Sequence, residues 1–307
     1  MISLVIPVFN EELLLDELIR RTIPAVAGIT EDYELIFVDD GSTDNTLEKL
    51  LSFRQGNSRI KVLSLSRNFG HQAAFSAGLF HAKGDFVAMM DGDLQDPPEL
   101  LPEMYRLIKE ESFDIVNGRK SGRKGNSKKN FMTFLFHRIF GKVSGMENIG
   151  NSGNFSMMTR QATDALLSLK ERIRYLPGLR SFIGFRQGYV DFVREDRYEG
   201  EPKMSYRKLF SLAMDAIFSF SRFPIKICLY LGILGILVFM AAGIYVLVAK
   251  ALKFAVPGWS STLLSIYFLG SIQLVFLGII GEYIFRNYKE SQGRPVYFVK
   301  KFYEGET

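Results

Sequence analysis

Two acidic residues, Asp91 and Asp93, follow the apolar segment Asp85–Met90 and flank Gly92. Residues two positions apart in an extended chain point to the same side, so the two carboxylates can converge on one cation. Carboxylate oxygens suit Mg²⁺ and Mn²⁺, and such ions keep coordination positions for phosphate oxygens. The spacing therefore predicts Asp91 and Asp93 as metal ligands and catalytic residues, with Mg²⁺ or Mn²⁺ as the cofactor.

The surroundings of this Asp-Gly-Asp sequence distinguish it from an ordinary turn, in which two aspartates at this spacing are common. It follows Phe-Val-Ala-Met-Met and precedes Leu-Gln-Asp-Pro-Pro-Glu. The carboxyl end of a buried parallel strand is the edge at which open α/β sheets bind ligands. This position favours the metal site over the turn.

Two further polar sequences follow predicted strands. Asp39 and Asp40 begin Asp-Asp-Gly-Ser-Thr-Asp, and Asn10 lies in Pro-Val-Phe-Asn-Glu. Carboxylates at a strand end can accept hydrogen bonds from a base N–H or a ribose hydroxyl. The alternative is a tight turn in which Ser42 or Thr43 caps the next helix, and the two interpretations are compatible.

These motifs belong to a segment, residues 1–120, in which short apolar stretches alternate with helix-like ones. The predicted strands are Ile2–Val8, Glu34–Val38, Ile60–Leu65, Asp85–Met90 and Asp114–Asn117. The predicted helices are Glu12–Val26, Thr43–Phe53, Gln72–His81 and Pro98–Glu110. This alternation predicts an α/β fold with a mostly parallel sheet and helices on both faces.

Composition narrows the class of protein. The chain has 307 residues, of which 47% are hydrophobic, and 38 basic against 33 acidic residues give a net charge of +5. No basic stripe interleaved with aromatic residues is present, so nucleic acid is not an expected partner.

The single cysteine, Cys228, excludes an intrachain disulfide. The N-terminal sequence lacks the basic region of a signal peptide, so residues 1–220 are expected to be cytosolic.

Two uncharged apolar segments, Ile227–Val248 and Ser260–Gly281, are each long enough to cross a membrane as a helix. Basic residues are more numerous in the sequences that flank the two segments than in the short loop that connects them. This distribution favours a multi-pass inner-membrane protein with both termini in the cytosol. We predict a cytosolic catalytic domain at 1–205, a juxtamembrane amphipathic helix at 206–224, a two-helix transmembrane hairpin at 225–287 and a cytosolic tail at 288–307.

The three motifs occur in an order and spacing that resemble family 2 glycosyltransferases of the GT-A fold, whose sheet is Rossmann-like. Pro-Val-Phe-Asn-Glu, Val-Asp-Asp-Gly-Ser-Thr-Asp and Asp-Gly-Asp-Leu-Gln-Asp-Pro-Pro-Glu carry this resemblance. The two apolar segments and Ser-Arg-Asn-Phe-Gly-His-Gln at 66–72 narrow it to the polyprenyl-phosphate branch, which includes dolichyl-phosphate mannose synthase-like enzymes and bactoprenol glucosyltransferases. The resemblance implies transfer of a sugar from a nucleoside-diphosphate donor, with a UDP-hexose favoured, to polyprenyl (undecaprenyl) phosphate.

The resemblance also implies roles for particular residues. Nucleotide binding is implied for Pro7, Val8, Asn10, Glu11, Asp39, Asp40 and Gly70. Gln95 is implied as a catalytic residue beside the sugar or the metal. Phosphate and acceptor binding is implied for Arg119, Arg123, Arg197 and Lys203, for which a solvated loop charge is the alternative. A homo-oligomer, such as a tetramer, is implied as well.

One short sequence departs from the resembled family, which often has Gly-Asp-Phe-Arg where this chain has Gly153-Asn154-Phe155-Ser156. An asparagine cannot act as a general base. Either another residue is the base or none is needed, and the second is favoured because a phosphate monoester is mostly ionised at neutral pH. We predict Asn154 as a catalytic residue that hydrogen-bonds the sugar or the phosphate in an inverting, in-line transfer.

Other functions have less support from the sequence. A processive polysaccharide synthase usually carries Gln-x-x-Arg-Trp, whereas the single tryptophan here is Trp259. A catalytically inactive membrane assembly protein of the same fold is the other alternative, and the intact aspartates of the motifs argue against it. The three histidines lack metal-ligand spacing, although His71 lies near a predicted site loop. The alternating segment 295–299 is predicted to be an edge strand, either on the cytosolic domain or on a neighbouring subunit.

Overall fold

The computed structural model describes residues 1–120, 152–172, 174–193, 223–252 and 258–304. The chain divides into two compact units. The first comprises Met1–Tyr206 and Pro295–Thr307, and the second comprises Arg207–Arg294. The predicted domain limit at residue 205 and most of the juxtamembrane helix predicted at 206–224 lie outside the described residues, so these limits stay predictions.

Eight strands form one sheet in the described part of the first unit. They are β1 (Ile2–Val8), β2 (Tyr33–Asp39), β3 (Ile60–Leu65), β4 (Phe86–Met89), β5 (Ile115–Lys120), β6 (Ser152–Thr159), β7 (Gln187–Phe192) and β8 (Val299–Tyr303). Their order across the sheet is β7-β5-β6-β4-β1-β2-β3-β8. Among the described strands, β6 and β8 run antiparallel to the rest. The sheet is therefore mostly parallel, which confirms the predicted α/β class.

Helices cover both faces of this sheet. They are α1 (Leu15–Ala27), α2 (Thr46–Gly56), α3 (His71–His81), α4 (Leu101–Glu111), α5 (Arg160–Ser168) and α6 (Leu176–Phe182), and a 3₁₀ turn, Pro98–Leu100, precedes α4. Successive strand residues point to opposite faces. Leu4 and Ile6 of β1 belong to the core that includes α1 and α4, whereas Val5 faces α3. This arrangement agrees with the predicted helices on both faces.

Burial on both faces explains why the central strands are mostly apolar rather than alternating. β1 and β2 each bury all seven of their residues. A Val, Leu or Ile side chain contributes about 1.5–3 kcal/mol when it is fully removed from water. These two strands therefore form a rigid centre, and the polar sequences that follow them are held at one edge of the sheet.

The strand β6, which the sequence pattern did not predict, is inserted antiparallel between β4 and β5. Met89 and Asn117 both lie opposite Ser156 in this pairing. Because β6 is antiparallel to β4, its first residues lie beside the last residues of β4. The insertion therefore brings Asn154 to the edge at which Asp91 and Asp93 were predicted to act.

The C-terminal strand β8 closes the other edge of the sheet. It pairs antiparallel with β3 of the same chain, with Val62 opposite Tyr303. The strand begins at Val299, four residues beyond the start of the predicted segment 295–299. Just before β8, the carbonyl oxygen of Phe298 accepts a hydrogen bond from the backbone N–H of Ser66 at 2.9 Å. The tail thus contacts the loop between β3 and α3.

The second unit contains two long helices among its described residues, α7 (Phe223–Ala251) and α8 (Trp259–Ser291). Within α8, the segment Ser265–Ser291 has a mean hydropathy of 1.8 and is long and apolar enough to cross a membrane. In α7 the comparable apolar segment is shorter, Tyr230–Ala242. The described residues therefore supply one candidate span where the sequence predicted two.

The packing of α3 on the sheet provides a stability test at Gly78. A Cβ atom there would lie 2.9 Å from Cγ2 of Val38 and still closer to Cγ1 of Val5. Gly78→Ala is expected to destabilise the fold by about 1–3 kcal/mol, because overpacking outweighs the helix propensity that alanine adds. The matched control is Gly56→Ala at the end of α2, where an added Cβ meets no atom within 4 Å. Thermal unfolding followed by circular dichroism should show a lower midpoint only for Gly78→Ala, and equal midpoints would contradict the packing argument.

Candidate active site

The Asp-Gly-Asp turn directly follows β4, at the edge of the sheet where the parallel strands end. Gly92 approaches β1 so closely that a Cβ atom would lie 2.8 Å from the carbonyl oxygen of Pro7 and 2.9 Å from Cγ1 of Val8. Glycine is therefore required at this approach. After the turn, Asp93 accepts a hydrogen bond from the backbone N–H of Gln95 at 3.2 Å. Pro7 and Val8, predicted to bind a nucleotide, thus lie against the turn that carries the two aspartates.

Two side chains of the described residues contact the carboxylate of Asp91, which is 23% exposed. Nε2 of His71 lies 2.8 Å from Oδ1 of Asp91. The amide Nδ2 of Asn154 donates to the same oxygen at 3.3 Å. Burial favours a higher pKa, but His71, Lys120 and the Asn154 amide outweigh it and lower the pKa of Asp91 to about 2. Asp91 is therefore an anion throughout the physiological pH range.

A third carboxyl group, Asp96, is 2% exposed and accepts a hydrogen bond from the backbone N–H of Asp91 at 3.3 Å. Burial raises its pKa, and the nearby carboxylates of Asp91 and Asp93 raise it further, to about 7. Two neighbouring carboxyl groups with widely separated pKa values are typical of functional sites.

The raised pKa of Asp96 predicts how stability depends on pH in metal-free protein. The pKa of this carboxyl group has its ordinary value of 3.8 in the unfolded chain but is about 7 in the fold. The folded state therefore holds the extra proton between these values, and Asp96 makes stability fall as the pH rises through this window. Asp96→Asn removes the titrating group. In EDTA, the unfolding temperature of this variant minus that of wild type should therefore be several degrees higher at pH 8 than at pH 5.

The matched control for this pH series is Asp85→Asn. Asp85 is 74% exposed and binds the N-terminal amino group at 2.8 Å, which lowers its pKa. Its stabilising effect is fully present above the unfolded pKa and is lost only on acidification below that value, so the difference between this control and wild type should stay nearly constant between pH 5 and pH 8. A difference between Asp96→Asn and wild type that does not change with pH would contradict the raised pKa.

Asn154 joins two helices to the Asp91 carboxylate. The Gln72 amide, at the start of α3, donates to Oδ1 of Asn154 at 3.1 Å. The other end of the same Gln72 side chain accepts from the backbone N–H of Leu176, the first residue of α6, at 2.9 Å. The Asn154 side chain is therefore oriented by bonds at both of its ends, with its N–H directed at Asp91. This is the behaviour of a positioned hydrogen-bond donor.

The loop after β2 is held by its two aspartates. Asp40 is 3% exposed and accepts hydrogen bonds from the backbone N–H groups of Phe69 at 2.8 Å and Gly70 at 2.9 Å. Burial nevertheless raises the pKa of Asp40 above its ordinary value. Asp39 is 2% exposed and accepts from Ser42 N–H at 3.0 Å and from the Ser64 hydroxyl at 3.3 Å. Both aspartates thus organise the loops at the edge where nucleotide binding was predicted.

The loop after β1 is attached to the same region. Asn10 adopts a φ of +53°, a left-handed conformation that asparagine tolerates. The side-chain Oδ1 of Asn10 accepts a hydrogen bond from the backbone N–H of Thr43 at 2.8 Å, and the backbone N–H of Asn10 donates to the Ser42 hydroxyl at 3.0 Å. Glu11 N–H donates to the Thr46 hydroxyl at 3.0 Å. The prediction that Ser42 or Thr43 caps α2 was wrong, because that helix begins at Thr46 and these hydroxyls contact Asn10 instead.

The predicted basic residues are only partly described. Arg119 lies in β5 and forms a two-point ion pair with Asp191 of β7, at 2.5 and 2.7 Å. This ion pair between two neighbouring strands gives Arg119 a structural role that does not require phosphate binding. Arg123, Arg197 and Lys203 lie outside the described residues, so their roles stay predictions.

Four residues near Asp91 were not predicted as site residues. They are His71, Gln72, Asp96 and Lys120. His71 contacts Asp91 and Gln72 contacts Asn154, whereas the charge of Lys120 lowers the pKa of Asp91. The pKa of Asp96 is raised by burial and by the nearby carboxylates. The sequence signal for His71 and Gln72 is the polar pair of Phe-Gly-His-Gln, at the start of a predicted helix. No local signal separates Asp96 from other acidic residues before a proline, because its burial depends on the fold.

The donor set at this edge suits a hard divalent cation. Asp91 and Asp93 provide carboxylates two residues apart, and the contacts from His71 and Asn154 to Asp91 both fall on Oδ1. Within the described residues, no three side chains of His, Cys, Asp or Glu gather at one point as a complete metal cage. A cation there would complete its coordination with phosphate oxygens and water, as Mg²⁺ and Mn²⁺ do in nucleotide sites.

The mixed, mostly parallel sheet with acidic loops at the carboxyl ends of its strands is a GT-A-like α/β fold. The sequence comparisons show that the class of protein is a glycosyltransferase. The chain belongs to glycosyl transferase family 2, whose model matches residues 3–167.

Full-length relatives support the same family. An uncharacterized glycosyltransferase of Synechocystis sp. is 41% identical over 97% of this chain and 94% of its own length. The bactoprenol glucosyl transferase of Shigella phage SfII is 35% identical over 99% of both chains. Glucosyl-3-phosphoglycerate synthase from Mycobacterium tuberculosis, solved with Mn²⁺, UDP and glucosyl-3-phosphoglycerate, has a TM-score of 0.50 at 20% identity over 71% of this chain and 77% of its own. That structural likeness concerns the fold.

Proposed function

We propose that this glycosyltransferase moves a hexose from a nucleoside-diphosphate donor, most favourably a UDP-hexose, to the phosphate of a polyprenyl phosphate such as undecaprenyl phosphate. The proposed acceptor is supported by the 35% identity to the bactoprenol glucosyl transferase of phage SfII over 99% of both chains. Because the alignment covers nearly the whole chain, it includes the apolar C-terminal third as well as the acidic motifs. Bactoprenol is a polyprenol, so a related lipid phosphate is the proposed acceptor.

The membrane anchor is proposed to be the pair of long helices. The candidate span in α8 and the shorter apolar segment of α7 support this, as do exposed apolar side chains such as Leu274 in α8, which is 71% exposed. Unpaired apolar surface of this kind is stable in lipid and costly in water. Basic residues outside the helix pair favour a multi-pass protein with the catalytic unit and both termini on the cytosolic side. A homo-oligomer, such as a tetramer, is also proposed.

Asp91 and Asp93 are proposed to hold Mg²⁺ or Mn²⁺ together with the donor diphosphate. When bound, such a cation neutralises charge on the departing nucleoside diphosphate. Asp91 suits this task because its low pKa keeps it ionised. His71 and Asn154 orient its carboxylate, and Gln95 follows Asp93 in the same turn.

The donor nucleotide is proposed to lie along the loops that follow β1 and β2. Residues proposed to line it are Pro7, Val8, Asn10, Glu11, Asp39, Asp40 and Gly70. Asn10 accepts a hydrogen bond from the Thr43 backbone N–H, and Asp40 accepts one from the Gly70 backbone N–H. These bonds between loops keep them pre-organised, which reduces the entropy lost on binding. Basic residues proposed to hold the donor or acceptor phosphates are Arg119, Arg123, Arg197 and Lys203.

The acceptor phosphate is proposed to attack the anomeric carbon directly, in line with the departing diphosphate, so that the sugar configuration inverts. A phosphate monoester has a second pKa near 6, so its oxygen is already ionised at neutral pH. The protein then needs to position the nucleophile and shield its charge rather than remove a proton. Asn154 fits this requirement, since it can donate a hydrogen bond but cannot accept a proton as a base.

The test is sugar transfer by purified full-length protein in detergent, with Mn²⁺ or Mg²⁺ and a panel of UDP- and GDP-sugars. We expect mass spectrometry to detect a polyprenyl-phosphate sugar with undecaprenyl phosphate as acceptor, and no product with undecaprenol, which lacks the phosphate. Addition of EDTA should abolish the transfer. If product forms on a growing glycan but never on the lipid phosphate, the proposed acceptor is wrong.

A further inference from the structure

Arg180, in the short helix α6, is a fully buried cation that no motif predicted. Its side chain is 1% exposed. Nη1 donates to the carbonyl oxygen of Asn154 at 2.9 Å and to the hydroxyl of Ser156. Nη2 donates to the carbonyl oxygen of Gly153. The guanidinium therefore binds the β6 backbone on both sides of the Asn154 side chain.

The groups that the Arg180 guanidinium contacts directly among the described residues are neutral, and its Nε lacks a hydrogen bond there. Burial lowers the pKa of Arg180 to about 10 although the Asp91 charge acts to raise it, and the group is still protonated at neutral pH. Removing such a charge from water costs several kcal/mol. Stability alone gives little reason for an arginine at this position, so a role in the site is the better explanation.

The contacts of Arg180 lead directly to Asp91. The backbone that it binds carries Asn154, whose amide donates to Asp91 at 3.3 Å and accepts from Gln72 at 3.1 Å. The Arg180 guanidinium also donates to the Ser156 hydroxyl, so its contacts hold β6 on both sides of Phe155.

We propose that Arg180 is a positioning residue for sugar transfer, which fixes the backbone of Gly153 and Asn154 so that the Asn154 amide faces Asp91 and the reacting phosphate. The proposal rests on the function proposed above. At 1% exposure the guanidinium is shielded from ligands by the residues it binds, so its effect on the reaction passes through Asn154.

The main variant is Arg180→Met, which keeps the length of the side chain and removes the charge and the donors. The variant loses the desolvation cost of the ion, which offsets part of the cost of leaving the Gly153 and Asn154 carbonyl oxygens without this donor. We expect kcat to fall by about tenfold or more, because small displacements of a positioning group have large kinetic effects. The KM for the donor should change much less, and the unfolding temperature should fall by only about a few degrees.

Arg174→Met is the matched control. Arg174 is partly buried and, like Arg180, has an Nε without a hydrogen-bond partner among the described residues. Its Nη2 donates to the carbonyl oxygen of Leu166, away from Asn154. We expect this variant to keep the wild-type kcat. Arg180→Lys keeps the charge but cannot hold three acceptors in a fork, so its kcat should lie between those of wild type and Arg180→Met.

Hydrogen exchange provides a readout that does not depend on the acceptor. In Arg180→Met, faster exchange is expected in the peptide that covers residues 153–156, with no change in Arg174→Met. Unchanged exchange there, or a kcat of Arg180→Met within about twofold of wild type, would overturn the positioning role. If Arg180→Met does not fold, a wild-type kcat in Arg180→Lys overturns it instead. Absence of lipid product from wild type would refute the proposed acceptor and leave the exchange test of Arg180 intact.

Discussion

Asp91→Asn is expected to lower the rate of sugar transfer by at least about 100-fold while the protein remains folded. The substitution keeps the shape of the side chain and removes the negative charge that the low pKa guarantees in wild type. An amide oxygen is a weaker ligand for a hard cation than a carboxylate. The departing diphosphate would therefore lose much of its charge stabilisation.

Two measurements separate this effect from general damage. Isothermal titration should show weaker Mn²⁺ binding by Asp91→Asn in the presence of UDP, and the steady-state rate should fall in parallel. Asp85→Asn, at the opposite end of β4, is the control, because that aspartate is exposed and pairs with the N-terminus. Wild-type Mn²⁺ affinity in Asp91→Asn would show that the cation binds elsewhere and would remove the basis of the proposed mechanism.

Asn154→Ala is expected to reduce turnover by about tenfold or more. The substitution removes the donor to Asp91 and leaves the Gln72 amide without the acceptor that it has in wild type. Both losses affect the orientation of groups at the site rather than the hydrophobic core. The affinity for UDP with Mn²⁺, measured by thermal shift, should change less than kcat. Asn57→Ala is the control, because Asn57 precedes β3 at the amino-terminal edge of the sheet, opposite the site.

Asn154→Asp tests whether the transfer lacks a general base. A carboxylate at this position would face the Asp91 oxygen that now accepts the amide hydrogen bond, and two like charges at that distance repel. We expect Asn154→Asp to be no faster than wild type. A faster variant would mean that proton removal limits the reaction and that the chain needs a base which asparagine cannot supply.

The local sequence was sufficient to predict β1 and β3 to the residue, because a short, mostly apolar stretch of strand length has few alternatives to a buried strand. It also predicted that Asp91 and Asp93 follow β4, since the carboxyl end of a strand is defined by the chain itself. The helix starts were less accurate. α2 begins at Thr46 rather than Thr43, because Ser42 and Thr43 bond to Asn10 from another loop.

The amino-acid pattern by itself determined the α/β class, the acidic pair at the end of β4 and the apolar C-terminal helices. Tertiary structure alone decided that β6 lies between β4 and β5, and so that Asn154 meets Asp91 across 63 residues of sequence. It also decided that Asp96 is buried and that Arg180 binds the Asn154 backbone. The physical reason is that strand order and burial depend on contacts between distant segments, whereas periodicity and turn chemistry report only on near neighbours.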